Sequence, residues 1–446
     1  MAYPFASQNK HCLTFSHMFN EFRQLIRQFP DQRTGQNTVY SIEDVALGAF
    51  SVFFTQSPSF LAHQTTMTEA KGTSNAQTLF GMQAIPTDNH IRNLLDIVPP
   101  QQIFPMFNKV FTALNELGHL QGFRAINEQL LIALDGTQYH CSNKIHCNSC
   151  TVTEHKNGQT RYSHTVITPV VVAPDCKRVI PLEPEFIIPQ DGHQKQDCEM
   201  AAAKRWLTQY AERYRELNVT LLGDDLYSRQ PLCEQVIAAG LNFIFVCKPQ
   251  SHITLYDWLD GLDKSQAVQT LKIVRRKGKQ RETDCYRFID QLPLREGDDA
   301  LKVNWCELTS TDQDGKVIYK NAFISNHPIT ANNVVDIVRA GRARWKIENE
   351  NNNTLKTQGY HFTHNFGHGQ QHLSTLLASF NLLAFLFHTI LDMMDTKYQM
   401  IRARLPSRKT FFQHIQALTC YLCFENFDAL LDFMIRGLDL ERLDSS

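Results

Sequence analysis

The sequence predicts an α/β protein: a mixed sheet interrupted by a β-rich insertion, with a helical N-terminal domain and a helical C-terminal tail. Three observations carry that prediction. Apolar residues recur at three- and four-residue steps from residue 13 to about 124, and the helical texture returns from Thr330 onward. From Gln129, three β-rich runs are followed by alternating helix and strand. Residues 268–326 then hold several short β-type runs that break this alternation.

Composition sets the scale and removes some classes. The 446 residues amount to roughly three domains of about 150 residues, so two or three packed units are expected. With 43% hydrophobic and 20% charged residues, general disorder is excluded. Forty-four Lys and Arg against 45 Asp and Glu leave a net charge of −1, so any nucleic-acid role must come from local patches. Twelve cysteines in a chain of this length are too sparse for a disulfide scaffold, and a reducing, cytoplasmic setting is expected. The first residues lack a charged-then-apolar leader pattern, so no export is expected. The apolar run Leu376 to Leu391 is shorter than the roughly 20 residues of a membrane span. It also carries Ser379, Asn381 and His388, and reads as a buried helix.

Taken in order, Phe15, Met18, Phe19, Phe22, Leu25 and Ile26 mark a first helix, and Ser41 with Asp44 opens a second that runs to Phe54. Asn75–Phe80, a Gly81/Pro86 break and a stretch from Thr87 to Leu95 give two short helices. These fit either a helix-turn-helix or ordinary all-α packing; DNA recognition requires a basic second helix, and this one offers only Arg92. Leu130–His140, Tyr162–Val172 and Arg178–Ile188 read as a three-strand meander, with Asn157-Gly158 as a hairpin signal. Gln194–Asn218 is an amphipathic helix, followed by strand Val219–Leu222, helix Pro231–Gly240 and strand Asn242–Cys247. The expected division is 1–124 helical, with DNA binding as a candidate role; 125–253 and 327–395 catalytic core; 254–326 β-rich insertion; and 396–446 helical tail.

Three acidic residues stand at element boundaries. Asp135 lies in the first strand, Asp224 ends a later one in Gly223-Asp-Asp-Leu-Tyr227, and Glu348 sits on a helix in Arg344-Trp-Lys-Ile-Glu348. A carboxylate in an apolar strand is costly to bury unless it is paired or binds a cation. Three converging carboxylates suit divalent ions about 3.5–4 Å apart, which activate an attacking oxygen and stabilise a leaving one. Taken singly, Asp135 could merely begin a turn with Gly136, and Asp224 merely end its strand. Asp225 is an alternative to Asp224, although the Asp-x-x-Tyr spacing to Tyr227 favours Asp224; Glu350 is a rival to Glu348 on a different helical face.

The LDGT strand, the strand ending in Gly-Asp-Asp-Leu-Tyr, the Arg-Trp-Lys-Ile-Glu helix and the long apolar helix Leu373–Leu391 together resemble the DDE-type transposases of bacterial insertion sequences. Within that group the chain is most similar to members whose ribonuclease H-like core is interrupted by a β-rich insertion. The resemblance spans roughly residues 30–395, with 88 residues between Asp135 and Asp224 and 123 between Asp224 and Glu348. It implies cleavage of DNA at transposon ends and strand transfer into target DNA, using Mg²⁺ or Mn²⁺, in a homodimer that synapses two ends. It also implies that Asp135, Asp224 and Glu348 hold the metals and that Arg344 contacts backbone phosphate. Members with the YREK signature carry Tyr three residues before the Arg and Lys seven after the Glu. Here Gly341 and Leu355 stand there. Lys356, one step later, would be rotated about 80–100° from the Glu348 face of an ideal helix, which sets its phosphate-holding role apart from the pattern.

Other candidates lie outside this triad. His146-Cys147-Asn-Ser-Cys150, with His155 nearby, offers enough ligands for a structural Zn²⁺ at a hairpin tip, against the alternative of simple thiols. Lys272 to Arg281 is strongly basic and includes Arg275, Arg276, Lys277 and Lys279; Arg339, Arg342, Arg344 and Lys346 form a second group. Such runs are usually solvated faces, but these two suit phosphate tracking. Arg402, Arg404, Arg408 and Lys409 form a third group; His361, His364, His368 and His372, at three- to four-residue steps, offer metal ligands, but the interleaved Tyr360, Phe362 and Phe366 with Gly367 and Gly369 favour a packed loop. Two competing functions remain at this point: a catalytically inactive transposase-derived DNA-binding protein and a zinc-dependent hydrolase.

Overall fold

The computed structural model describes residues 13–35, 38–67, 74–189, 197–278 and 280–440. It is a mixed α/β structure with a helical C-terminal region. The first β-rich runs form β1 (Leu130–Ala133), β2 (Gly136–Ser142), β3 (Thr151–Glu154), β4 (Thr160–Ile167), β5 (Val170–Ala173), β6 (Cys176–Pro181) and β7 (Glu185–Ile187). Then come β8 (Val219–Gly223), β9 (Asn242–Val246), β10 (Gln269–Lys277), β11 (Gln280–Pro293), β12 (Lys302–Thr311) and β13 (Val317–Ser325). Among the described residues, nine strands form one sheet in the order β10-β11-β12-β13-β9-β8-β1-β5-β6, and β2, β4, β3 and β7 form a second.

The meander expected from the sequence is present, but each of its strands is bent into two. β1 turns into β2 at Leu134-Asp135, β4 into β5 at Thr168-Pro169, and β6 into β7 at Leu182–Pro184. Proline lacks the N–H a central ladder needs, so Pro169 and Pro184 favour a break at those two points. The bends divide one meander between two sheets and leave Asp135 at the junction.

In the large sheet, β1, β8 and β9 run parallel, with Ala133 opposite Leu222 and Leu222 opposite Ile244. β5 and β6 run antiparallel beyond β1. The insertion strands β10–β13 form an antiparallel ladder that joins the same sheet through β13 and β9, with Ile324 opposite Phe245. A helix not expected from the sequence, Ile253–Lys264, precedes them.

The helix Glu199–Arg215 buries Ala203, Trp206, Leu207, Tyr210 and Tyr214 on one face, as an amphipathic helix does; the predicted residues 194–196 lie outside the described ones. The helix Leu373–Met394 has the length and hydropathy of a membrane span, yet 94% of its apolar window is buried inside the protein. It packs against the N-terminal helices Phe15–Ile26 and Ile42–Phe54, where Phe22 meets Phe50 at 4.5 Å and Phe50 meets Phe387 at 5.4 Å. The second short helix, Asp88–Leu95, is capped by Thr87 and buries Ile91 and Leu95. Its Arg92 donates to the Phe366 carbonyl (3.0 Å) and pairs with Asp88. Asp96, just beyond, accepts the backbone N–H groups of Gln370, Gln371 and Leu373, thereby fixing the start of the long helix.

Candidate active site and a cysteine–histidine cluster

Parallel pairing of β1 with β8 decides where the first two acids stand. Leu134 donates its N–H to Leu222 O (2.9 Å), so Asp135 and Asp224 leave adjacent strands at the same edge. Asp224 is fixed by accepting the Leu226 N–H at 2.8 Å. Asp225 is turned inward: it accepts the Lys248 N–H (2.6 Å) and lies 3.7 Å from His252, so it braces the neighbouring loop.

Asp135 is held by Asn352, whose Nδ2 donates to Oδ2 at 2.9 Å. Asn352 belongs to the same helical segment as Glu348, and the Thr168 hydroxyl and Asn351 amide hold its own oxygen (3.0 Å each). Burial pushes the Asp135 carboxyl up to about 7, with the charges of Glu199, Glu348 and Asp224 adding to the effect and Arg344 opposing it. The three predicted acids therefore share one electrostatic neighbourhood, together with a fourth carboxylate that the sequence did not single out.

That fourth group is Glu199, in the first turn of its helix. Its Oε1 accepts the Gly136 N–H (3.0 Å) and the Tyr227 hydroxyl (2.6 Å). A Cβ on Gly136 would overlap the Glu199 carboxylate, so a side chain there would displace Glu199 from its present contact. Glu199 thus ties the residue after Asp135 to the tyrosine three residues after Asp224. Acidic residues are ordinary in a first helical turn, and nothing in the sequence distinguishes this one.

Glu348 lies on a π-helical segment, Ile347–Asn352, in which Asn353 N–H bonds back to Glu348 O. A π turn absorbs one extra residue relative to an α turn, and such turns recur at functional sites. Its consequence falls on Lys356. The displacement expected on an ideal helix is taken up, Leu355 points fully into the core, and the Asp135 charge reaches Lys356, opposing the lowering that burial imposes on its ammonium. Arg344, with a side chain only 7% exposed, donates from Nη1 to Glu348 Oε1 at 2.7 Å. It holds the glutamate in position rather than standing open to solvent. Glu350 faces the neighbouring groove.

The groove, of about 500 Å³, is lined by Arg275, Arg339, Arg342, Trp345 and Lys346, so it joins the two basic groups read from the sequence. Arg342 lies over the Tyr319 ring at 4.5 Å, whereas Arg275 is paired with Asp284 and Glu282, and Arg339 with Asp175. Arg276 is exposed on β10; Lys279 and the side chain of Lys277 lie outside the described residues. In the third basic group, Arg408 is half-buried and donates to the Tyr360 hydroxyl at 2.8 Å.

Near the other sheet, Cys147 and Cys150 meet His164 of β4 and His368 of the loop after the Glu348 segment, with all four ligand atoms within 4.8 Å of one another. This corrects the expected partners. His146 instead stacks on Tyr162 at 4.3 Å with Nδ1 near the Lys144 carbonyl, and His155 lies on the exposed hairpin turn. Sequence adjacency suggested those two. His368, 218 residues from Cys150, reaches the cluster only through the fold.

No protein-family model matches the chain, and no curated protein matches it.

Proposed function

We propose that this protein is a metal-dependent DNA transposase with a ribonuclease H-like core, cleaving DNA at transposon ends and joining it to target DNA. The observation that carries this reading is the exit of Asp135 and Asp224 from adjacent parallel strands, with Glu348 brought to the same edge by the helix whose Asn352 grips Asp135. Such strand edges are where open α/β sheets place their ligands. The strand order β6-β5-β1-β8-β9, in which β5 alone runs opposite to the other four, supports the ribonuclease H-like assignment.

The donor set fits a divalent cation. Asp135 is pushed up by burial and by three surrounding carboxylates, with Arg344 opposing them; an added cation relieves that crowding. Asp135, Asp224 and Glu348 would hold Mg²⁺ or Mn²⁺, which would supply Lewis-acid activation of an attacking oxygen and charge stabilisation of the leaving one. The chain's own residues do the rest. Asn352 fixes the Asp135 rotamer, Arg344 orients Glu348, and Lys356 presents an ammonium beside the acids to a DNA phosphate. The groove lined by Arg342 and Lys346 continues the positive surface along which a DNA backbone tracks. Two ends are brought together by a homodimer in this reading.

An excision assay in cells tests it. The reading frame and its flanking DNA are placed on a plasmid, and precise loss of the segment is scored. Wild type is expected to excise and Glu348→Gln to fall by at least about 100-fold, as when a major electrostatic group is removed. Equal frequencies would reject the reading. Binding to the flanking DNA without excision would point instead to an inactive DNA-binding descendant.

A further inference from the structure

The cysteine–histidine cluster has the dimensions of a metal tetrahedron. Cys147 Sγ and Cys150 Sγ are 4.0 Å apart. His164 Nε2 lies 3.5 and 3.4 Å from the two sulfurs, and His368 Nε2 lies 3.5 Å from Cys150 Sγ. Zn–S and Zn–N bonds of about 2.3 and 2.05 Å give tetrahedral edges of about 3.8 Å between sulfurs and 3.5 Å between sulfur and nitrogen. The sulfurs are far beyond the roughly 2.05 Å of a disulfide.

Burial points the same way. Cys147, Cys150 and His164 are 8%, 3% and 1% exposed. The Nδ1 atoms of His164 and His368 have no partner, so both rings turn their Nε2 side to the thiols as their polar contact. The Cys147 N–H also points at Cys150 Sγ (3.5 Å), which favours a thiolate there.

We propose that Cys147, Cys150, His164 and His368 form a structural Zn²⁺ site that fastens the small sheet to the loop following the Glu348 segment. Binding releases the two thiol protons to solvent, and two thiolates with two neutral imidazoles leave the buried unit without net charge. Four protein ligands close the coordination sphere, which assigns the ion to structure and not to hydrolysis. The site joins the β2–β3 connection and β4, whose partner strand β2 continues from Asp135, to the loop that Arg92 and Asp96 hold from the other side. It goes beyond the transposase reading and does not rest on it.

The full-length protein is purified without chelator, and its metal content is measured by plasma mass spectrometry. Wild type is expected to carry about one zinc per chain. His146→Ala, His155→Ala and Asp135→Asn should keep it, while Cys150→Ser and His368→Ala should lose most of it. Replacement by Co²⁺ gives a second readout: wild type should show tetrahedral d–d bands with thiolate charge transfer. A folded wild type without zinc, an octahedral Co²⁺ spectrum, or full zinc in His368→Ala would each overturn the proposal. If a variant fails to fold, the wild-type Co²⁺ spectrum decides. DNA cleavage enters none of these readouts, so failure of the functional reading leaves this test intact.

Discussion

Asp135 ionises against its surroundings, and that fixes a pH signature. In the unfolded chain it titrates near 3.8, and in the folded protein near 7. Between those values the folded state holds the extra proton, so its contribution to stability falls as pH rises and is fully lost above about pH 7. Asp135→Asn removes the loss. At pH 8 without divalent ions, the variant should be more stable than wild type by ~1–3 kcal/mol in urea unfolding, and the two should converge near pH 4. Adding Mg²⁺ at pH 8 should raise the wild-type midpoint and leave the variant unchanged; equal shifts would count against a cation at Asp135. A second test concerns Glu199 and Tyr227, joined by a 2.6 Å hydrogen bond. A double-mutant cycle of Glu199→Gln and Tyr227→Phe should give a coupling of about 1–2 kcal/mol; additivity would show that the pair does not brace the site. That Asp135, Asp224 and Glu348 share one neighbourhood was legible from their order and element boundaries together with the resemblance, since each taken singly has an ordinary explanation. Glu199 was not, because its place in a first helical turn is common.

At the scale of elements, the π turn reconciles Lys356 with the acids. Moving the lysine to the seventh position after Glu348, by exchanging Leu355 and Lys356, would restore the regular spacing in sequence and place a charge in the core. Leu355 is fully buried, so Leu355→Lys with Lys356→Leu should destabilise the protein by at least ~2 kcal/mol. A stable double variant would mean that the segment runs as an ordinary α-helix. Nothing in the residues Ile347–Asn352 announces a π turn, and the contacts of Asn352 with Asp135 and Thr168 that accompany it are long-range ones without a local signal. The strand bends were partly legible: Pro169 and Pro184 mark two of them, while the bend at Asp135 has no proline and follows from the meander dividing between two sheets. Asp96 offers an independent check on the helical layer. Asp96→Ala leaves the N–H groups of Gln370, Gln371 and Leu373 without their acceptor and should cost about 1–2 kcal/mol. A shift near zero in thermal or urea unfolding would remove the cap from the account.

At the scale of the whole molecule, the sequence marks where its texture changes but not how the pieces join. The insertion was readable from its short β-runs, yet its continuation of the main sheet through the β13–β9 pairing is a long-range contact without a local signal. Likewise the apolar run near Leu376 was readable as a buried helix, but not the Phe22–Phe50–Phe387 packing that sets it among the N-terminal helices. The neutral net charge of −1 also conceals a local arrangement: basic residues from β10 and from the helical segment Val334–Arg342 line one groove. The central claim is that the acids at the β1–β8 edge cut DNA with a divalent ion. Purified protein should be incubated with duplexes carrying the DNA that flanks its own reading frame, with Mg²⁺ or with EDTA. Wild type should nick at the element's ends only with Mg²⁺, and Asp135→Asn, Asp224→Asn and Glu348→Gln should each lose at least about 100-fold. Wild-type cleavage no better than that of Asp135→Asn, or cleavage that persists in EDTA, would contradict that claim.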